Sequence, residues 1–173
     1  LALDEPERRT AALVTGNFFG VLGLKAQRGR LLTTADEAAP GASPVAVLSD
    51  AYWRRAFAAD PAAVGRSVRL NGHPFTVVGV APADFLGVSF DSIPDVWLPI
   101  SMVEQAEPEW GKDLPDRGFS WLDIVGRLKP GVSIREAQAE LNVLTAAREK
   151  GQPEDKRDPW ARGGYAYFDP SFD

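Results

Sequence analysis

The dipeptide Asn71-Gly72 constrains the fold of this chain more than any other feature. A two-residue hairpin loop of the type I′ kind needs positive φ at both central positions, and Asn-Gly is a preferred pair for it. The flanks agree with that reading: Ser67-Val68-Arg69-Leu70 alternates polar and apolar residues, and Phe75-Thr76-Val77-Val78-Gly79-Val80 is rich in β-formers. An antiparallel pair is therefore predicted near the middle of the chain, with Pro74 at a strand start or edge, where its missing N–H costs no ladder bond. A lone hairpin is marginal in water, so other elements must cover its apolar face.

Those elements are legible on both sides. Residues 10–14 read as a strand, and Thr15-Gly16-Asn17-Phe18-Phe19-Gly20-Val21-Leu22-Gly23 reads as a short helix that Gly23 stops. After a turn-rich stretch at 33–43, Pro44-Val45-Ala46-Val47-Leu48 reads as a strand. Ser49 then caps a helix in which Tyr52, Trp53, Ala56 and Phe57 recur at helical spacing. Asp60-Pro61 opens a further helical turn closed by Gly65, and Asp95-Val96-Trp97-Leu98-Pro99-Ile100 is a short strand after a long loop at 81–94. Residues 103–118 are again polar. Beyond them a strand is predicted over 121–128, a turn at Lys129-Pro130-Gly131, and a helix over 134–148. Ser133 and Glu136 form the capping box of that helix, which carries Ile134, Ala137, Leu141 and Leu144 on one face. Residues 164–168 are a candidate final strand.

A length of 173 residues suits one domain or two small subdomains, and 16 Gly with 14 Pro predict short elements and many turns. The net charge of -5 and the scattered arginines make nucleic acid a poor partner. The absence of Cys removes thiol catalysis, disulfides and thiolate metal sites together. No stretch reaches the 18 or so apolar residues of a membrane span, and the start has no basic n-region of a signal peptide. The sequence begins at Leu1 and not at Met, which reads as a piece of a longer chain whose membrane segments lie outside it.

The chemistry-bearing motifs are sparse. There is no Gly-x-Ser-x-Gly elbow and no phosphate-binding Gly-x-x-x-x-Gly-Lys-Ser/Thr loop, so ATP hydrolysis is expected elsewhere. His73 is the only histidine, which excludes a zinc site with two His ligands, and its place beside the Asn-Gly turn reads as solvated. Asp91 with Asp95, and Asp113 with Asp116, are carboxylate pairs of the kind that serve acid/base work, but in loops they read as caps or solvated groups. No catalytic residue, metal ligand or cofactor is expected. Trp53, Trp97 and Trp121 read as core residues, whereas Trp110 and Trp160 lie in polar loops. The apolar loop Phe85-Leu86-Gly87-Val88-Ser89-Phe90 either folds back on the core or is presented to a partner, so Phe85, Leu86, Val88 and Phe90 are the candidate contact residues.

An ordered series of short motifs spans residues 14–144. It runs from Val14-Thr15-Gly16-Asn17-Phe18-Phe19 and Gly29-Arg30 through Val45-Ala46-Val47-Leu48-Ser49, Trp53-Arg54-Arg55, Asp60-Pro61 and Leu70-Asn71-Gly72. It continues with Val77-Val78-Gly79-Val80-Ala81-Pro82, Asp95-Val96-Trp97-Leu98-Pro99 and Gly126-Arg127-Leu128-Lys129-Pro130-Gly131-Val132. In that order the series resembles the MacB-like periplasmic core domain of ABC-type permeases. The resemblance implies an α+β fold in which a split porter-like α/β unit, residues 1–43 and 103–173, carries an inserted mixed subdomain at 44–102. Core candidates of the insert are Val45, Val47, Trp53, Phe57, Val68, Leu70, Val77 and Trp97, with Phe18, Phe19 and Leu22 expected near Leu122, Ile124, Leu141 and Leu144.

The resemblance also implies a place on the extracytoplasmic (periplasmic) face of the bacterial inner membrane. The partners it implies are the membrane-spanning part of the same permease and a cytoplasmic ATPase; a second permease protomer and a periplasmic partner also fit. Its role would be mechanotransmission, the relay of ATP-driven motion to cargo or partners, with no catalysis of its own. The alternative class is a periplasmic ligand-binding or sensory module with a ligand between subdomains.

Overall fold

In the computed structural model of the chain, the described residues are 9–89, 92–109 and 122–150. They fall into two compact units, Leu1–Lys112 and Asp113–Asp173. The architecture is α+β.

The first unit is built on one mixed sheet. Its strands are β1 (Ala11–Val14), β2 (Arg28–Gly29), β3 (Val45–Leu48), β4 (Ser67–Leu70), β5 (His73–Val80) and β6 (Val96–Pro99). They run in the order β1-β6-β3-β5-β2, with β4 beside β5. β1 lies parallel to β6 and β3 parallel to β5, while β3 with β6, β2 with β5 and β4 with β5 are antiparallel.

Local sequence accounts for most elements. Asn71 and Gly72 hold φ of 48° and 80°, and Leu70 pairs with His73, so the loop has the two residues that the Asn-Gly signal requires. Ser49 accepts a hydrogen bond from the Tyr52 N–H at 3.1 Å and so starts α2 (Asp50–Phe57). Asp60 caps the turn Pro61–Ala63 through the Ala62 N–H at 2.9 Å. The predicted helix at 15–23 is one turn, α1 (Phe18–Val21), after which Gly23 takes φ of 69°. A short helix α3 (Val103–Ala106) follows β6.

Strand alternation sends successive side chains to opposite faces, and here both faces are covered. Ala46, Leu48, Val96 and Leu98 pack in one cluster with Tyr52, Trp53 and Phe57 of α2 and with Val68, Phe75 and Val77 of the hairpin. On the other face Trp97 meets Phe19 of α1 with ring centroids 5.8 Å apart. That double burial explains why β3 and β6 are continuous apolar runs, whereas exposed and buried residues alternate along β4 and the first half of β5. Of the expected core, Val47, Trp53, Phe57, Val68, Val77 and Trp97 are buried, and Val45 and Leu70 are half-buried.

The division expected from the sequence, 44–102 against 1–43 with 103–173, does not coincide with these units. β1 and β2 are hydrogen-bonded to β6 and β5, so residues on both sides of position 43 share one sheet. The polar stretch at 33–43 is a connection: a 3₁₀ turn (Thr34–Glu37) and a loop between β2 and β3.

Described by itself, the second unit contains α4 (Ile134–Lys150). Its capping box forms as expected: the Ser133 N–H donates to Glu136 at 2.8 Å and the Glu136 N–H donates to the Ser133 hydroxyl oxygen at 3.3 Å. Residues 122–128 form no strand, in contrast to the expectation, since a strand exists only by pairing and no partner strand lies among the described residues of this unit. Ile134, Leu141 and Leu144 of α4 are exposed, as are Leu122 and Ile124. Trp121 and the candidate strand at 164–168 lie outside the described residues.

Candidate functional site

The loop from Pro82 to Pro94 is set by the two strands it joins. A turn closes over Pro82, whose carbonyl accepts from the Phe85 N–H at 3.1 Å, and it drives the Phe85 side chain back into the molecule. Phe85 is buried, stacked on Trp97 at 5.4 Å between centroids, tilted against Phe18 at 6.2 Å and edge-on to Phe19 at 6.1 Å. The next residues reverse direction: Gly87 holds φ of 101°, and a Cβ there would meet Pro94 Cδ at 3.0 Å. Leu86 is thereby 55% exposed and Val88 39%.

The four candidate contact residues thus separate. Phe85 belongs to the core and anchors the loop, Leu86 and Val88 face solvent, and Phe90 lies outside the described residues. A residue that sequence reasoning missed joins them on the loop: Ile93 is 56% exposed. Its signal was an apolar β-branched residue between Ser92 and Pro94, a position with no strand to bury it. Three exposed aliphatic side chains on a loop anchored by an aromatic residue can bury area against an apolar surface. They supply no acid, base or nucleophile.

Four arginine–aspartate pairs, Arg30–Asp36, Arg54–Asp50, Arg55–Asp95 and Arg66–Asp60, serve the structure. Arg30 grips Asp36 with two hydrogen bonds, and the Thr33 N–H adds a third to the same carboxylate at 2.9 Å. The Arg30 hydrogen bond, ahead of those from Thr33, holds the Asp36 carboxyl below the usual carboxylate range against the opposing effect of burial. Asp50 is likewise lowered, chiefly by its hydrogen bond from Arg54, with Gln27 also donating to it. Around α2 the arginines lie over aromatic rings, Arg9 and Arg55 over Tyr52 at 4.7 and 5.4 Å and Arg28 and Arg54 over Trp53 at 5.9 Å each. His73 is exposed at the start of β5. Asp95 binds Arg55, and its expected companion Asp91 lies outside the described residues, as do Asp113 and Asp116. Among the described residues no group of three His, Asp or Glu side chains is placed to hold a metal, and no helix is long and apolar enough to cross a membrane.

With this geometry in hand, residues 3–144 match the family model of the MacB-like periplasmic core domain. The chain belongs to that family. This MacB-like domain is accordingly extracytoplasmic, of the kind carried by ABC-type permeases. No curated protein matches it. Among solved structures it is similar to the periplasmic region of MacB from Actinobacillus actinomycetemcomitans, with 24% identity and a TM-score of 0.53 over 80% of this chain and 56% of that one. It is also similar to a domain of a putative permease protein from Porphyromonas gingivalis, with 19% identity and a TM-score of 0.51 over 88% of this chain and 64% of that one. At these identities the likeness is one of fold. The MacB-like domain spans less than two thirds of either relative's length.

Proposed function

We propose that this MacB-like domain is a non-catalytic part of an ABC-type permease. It relays motion, driven by a cytoplasmic ATPase and passed through the membrane-spanning part of the permease, to periplasmic cargo or a periplasmic partner. The observation that carries the reading is the family match over 3–144, which covers the sheet, its hairpin and most of α4. The packing is consistent with a mechanical element. A sheet buried on both faces moves as a body, because close-packed interiors transmit displacement instead of absorbing it.

Within this reading Leu86, Val88 and Ile93 make the outward contact, with Phe85 fixing the loop that bears them. Their exposure and their anchoring on the rigid sheet support the assignment. The test is enzymatic and mechanical together. The purified chain is expected to hydrolyse neither ATP nor model esters, and the parent permease carrying Leu86→Ser, Val88→Ser and Ile93→Ser together is expected to keep basal ATPase activity while transport falls. Hydrolysis by the pure chain that His73→Ala abolishes would overturn the non-catalytic reading, and unchanged transport by the triple variant would overturn the contact surface.

A further inference from the structure

Asp95, the residue before β6, uses each of its four polar atoms on a connection to another element. Its N–H donates to the Thr10 carbonyl at 2.8 Å, and its carbonyl accepts from the Ser49 N–H at 2.9 Å. One carboxylate oxygen, Oδ2, accepts from the Thr10 N–H at 3.3 Å, and the other, Oδ1, accepts from Arg55 at 2.8 Å. Thr10 is the residue that enters β1, Ser49 is the cap of α2, and Arg55 is on the second turn of α2. The preceding residue also rests on that helix, since the Arg9 and Arg55 guanidinium groups share the ring of Tyr52.

The chemistry suits aspartate in particular. Both side-chain partners are donors, so a carboxylate satisfies both, whereas an amide of the same shape must turn its NH₂ against one of them. β1 has four residues and, among the described residues, pairs with β6 alone, so it is an edge strand held in the sheet by one neighbour and open to local loosening.

We propose that Asp95 is the junction that couples the chain entering β1 to helix α2, so that displacement of β1 and loosening of α2 occur as one event. Use of that coupling to pass on a pull rests on the function proposed above, while the coupling itself stands apart from it.

Amide hydrogen exchange on the 173-residue chain tests this. Asp95→Asn is expected to raise exchange across β1 on the order of tenfold, the size of one charge-assisted hydrogen bond. Arg55→Ala, a change at a largely exposed side chain that leaves the core intact, is expected to raise β1 exchange as well, although the altered residue is on α2. The double variant should exceed neither single one by much, as residues acting through one contact are not additive. Amides of the β4–β5 hairpin should keep their wild-type rates. Wild-type β1 exchange in Arg55→Ala, an equal rise in the hairpin, or a double variant equal to the product of the singles would overturn the junction. Failure of the relay would show instead in label distances within the permease, with these exchange patterns intact.

Discussion

The Arg30 guanidinium and the Asp36 carboxylate meet fork to fork, Nη1 on Oδ2 at 2.7 Å and Nη2 on Oδ1 at 2.8 Å. This clasp closes the connection between β2 and the 3₁₀ turn, and the Thr33 N–H completes it on the buried carboxylate. Asp36→Ala removes the acceptor of four hydrogen bonds, two from Arg30 and two from the Thr33 N–H and hydroxyl. It is expected to cost about 2–3 kcal/mol, within the range for losing charged hydrogen-bond partners, read as a lower urea midpoint at unchanged slope.

The same carboxylate sets an acid limit. The folded values of Asp36 and Asp50 are lowered by their arginine hydrogen bonds, so in acid the unfolded chain binds more protons than the folded one. Their contribution is then fully present above the ordinary carboxylate value of about 3.9 and is lost as pH falls through that value toward the lowered ones. Calorimetry across pH should show this MacB-like domain losing Tm below about pH 4, with a smaller loss in Asp36→Asn, which has one of the two groups removed. An identical acid profile in the variant would show that the clasp contributes nothing to it.

Two glycines should respond very differently to alanine. At Gly79, in the bulge where β5 slips against β3, an added Cβ would lie 2.0 Å from the Arg30 carbonyl oxygen and 2.7 Å from that of Arg28. Both are backbone atoms of the strand connection that crosses there, so Gly79→Ala is expected to cost about 3 kcal/mol or more through overpacking. At Gly72 φ is 80° and no atom lies within 4 Å, so Gly72→Ala carries only the conformational cost of about 1 kcal/mol. Paired thermal melts decide the order.

On the loop, anchor and surface should part company. Phe85→Ala empties a site among Phe18, Phe19 and Trp97 and is expected to cost about 3–5 kcal/mol, whereas Leu86→Ser and Val88→Ser should each stay within about 0.5 kcal/mol. Comparable losses at all three positions would mean that the whole loop is core.

What could be read in advance was local. The Asn71-Gly72 turn, the Ser49 cap with Tyr52, Trp53 and Phe57 behind it, and the Ser133–Glu136 box each depend on residues within a few positions of one another. The rest depends on distant partners. Thr10 meets Asp95 across 85 positions, and nothing near either residue announces it. The parallel pairing of β1 with β6 is equally silent in the sequence, since no local motif ties residues 11–14 to the 44–102 run whose sheet they share. The loop at 85–90 offered two readings because periodicity fades outside regular elements, and the fold took both, burying Phe85 and exposing Leu86 and Val88. For 122–128, β-propensity without a neighbouring strand produced no strand among the described residues.

The proposed relay requires this MacB-like domain to move with the nucleotide cycle of a permease. The chain has no Cys, so Ser67→Cys, exposed on β4, gives one labelling site, and a second cysteine can be placed in the membrane-spanning part of the parent protein. Electron-spin distance measurements in lipid, without nucleotide and with ATP trapped by vanadate, read the motion directly. The account predicts a distance distribution that shifts between the two states and returns when nucleotide is removed. Identical distributions in both states, from a permease shown to hydrolyse ATP, would contradict it.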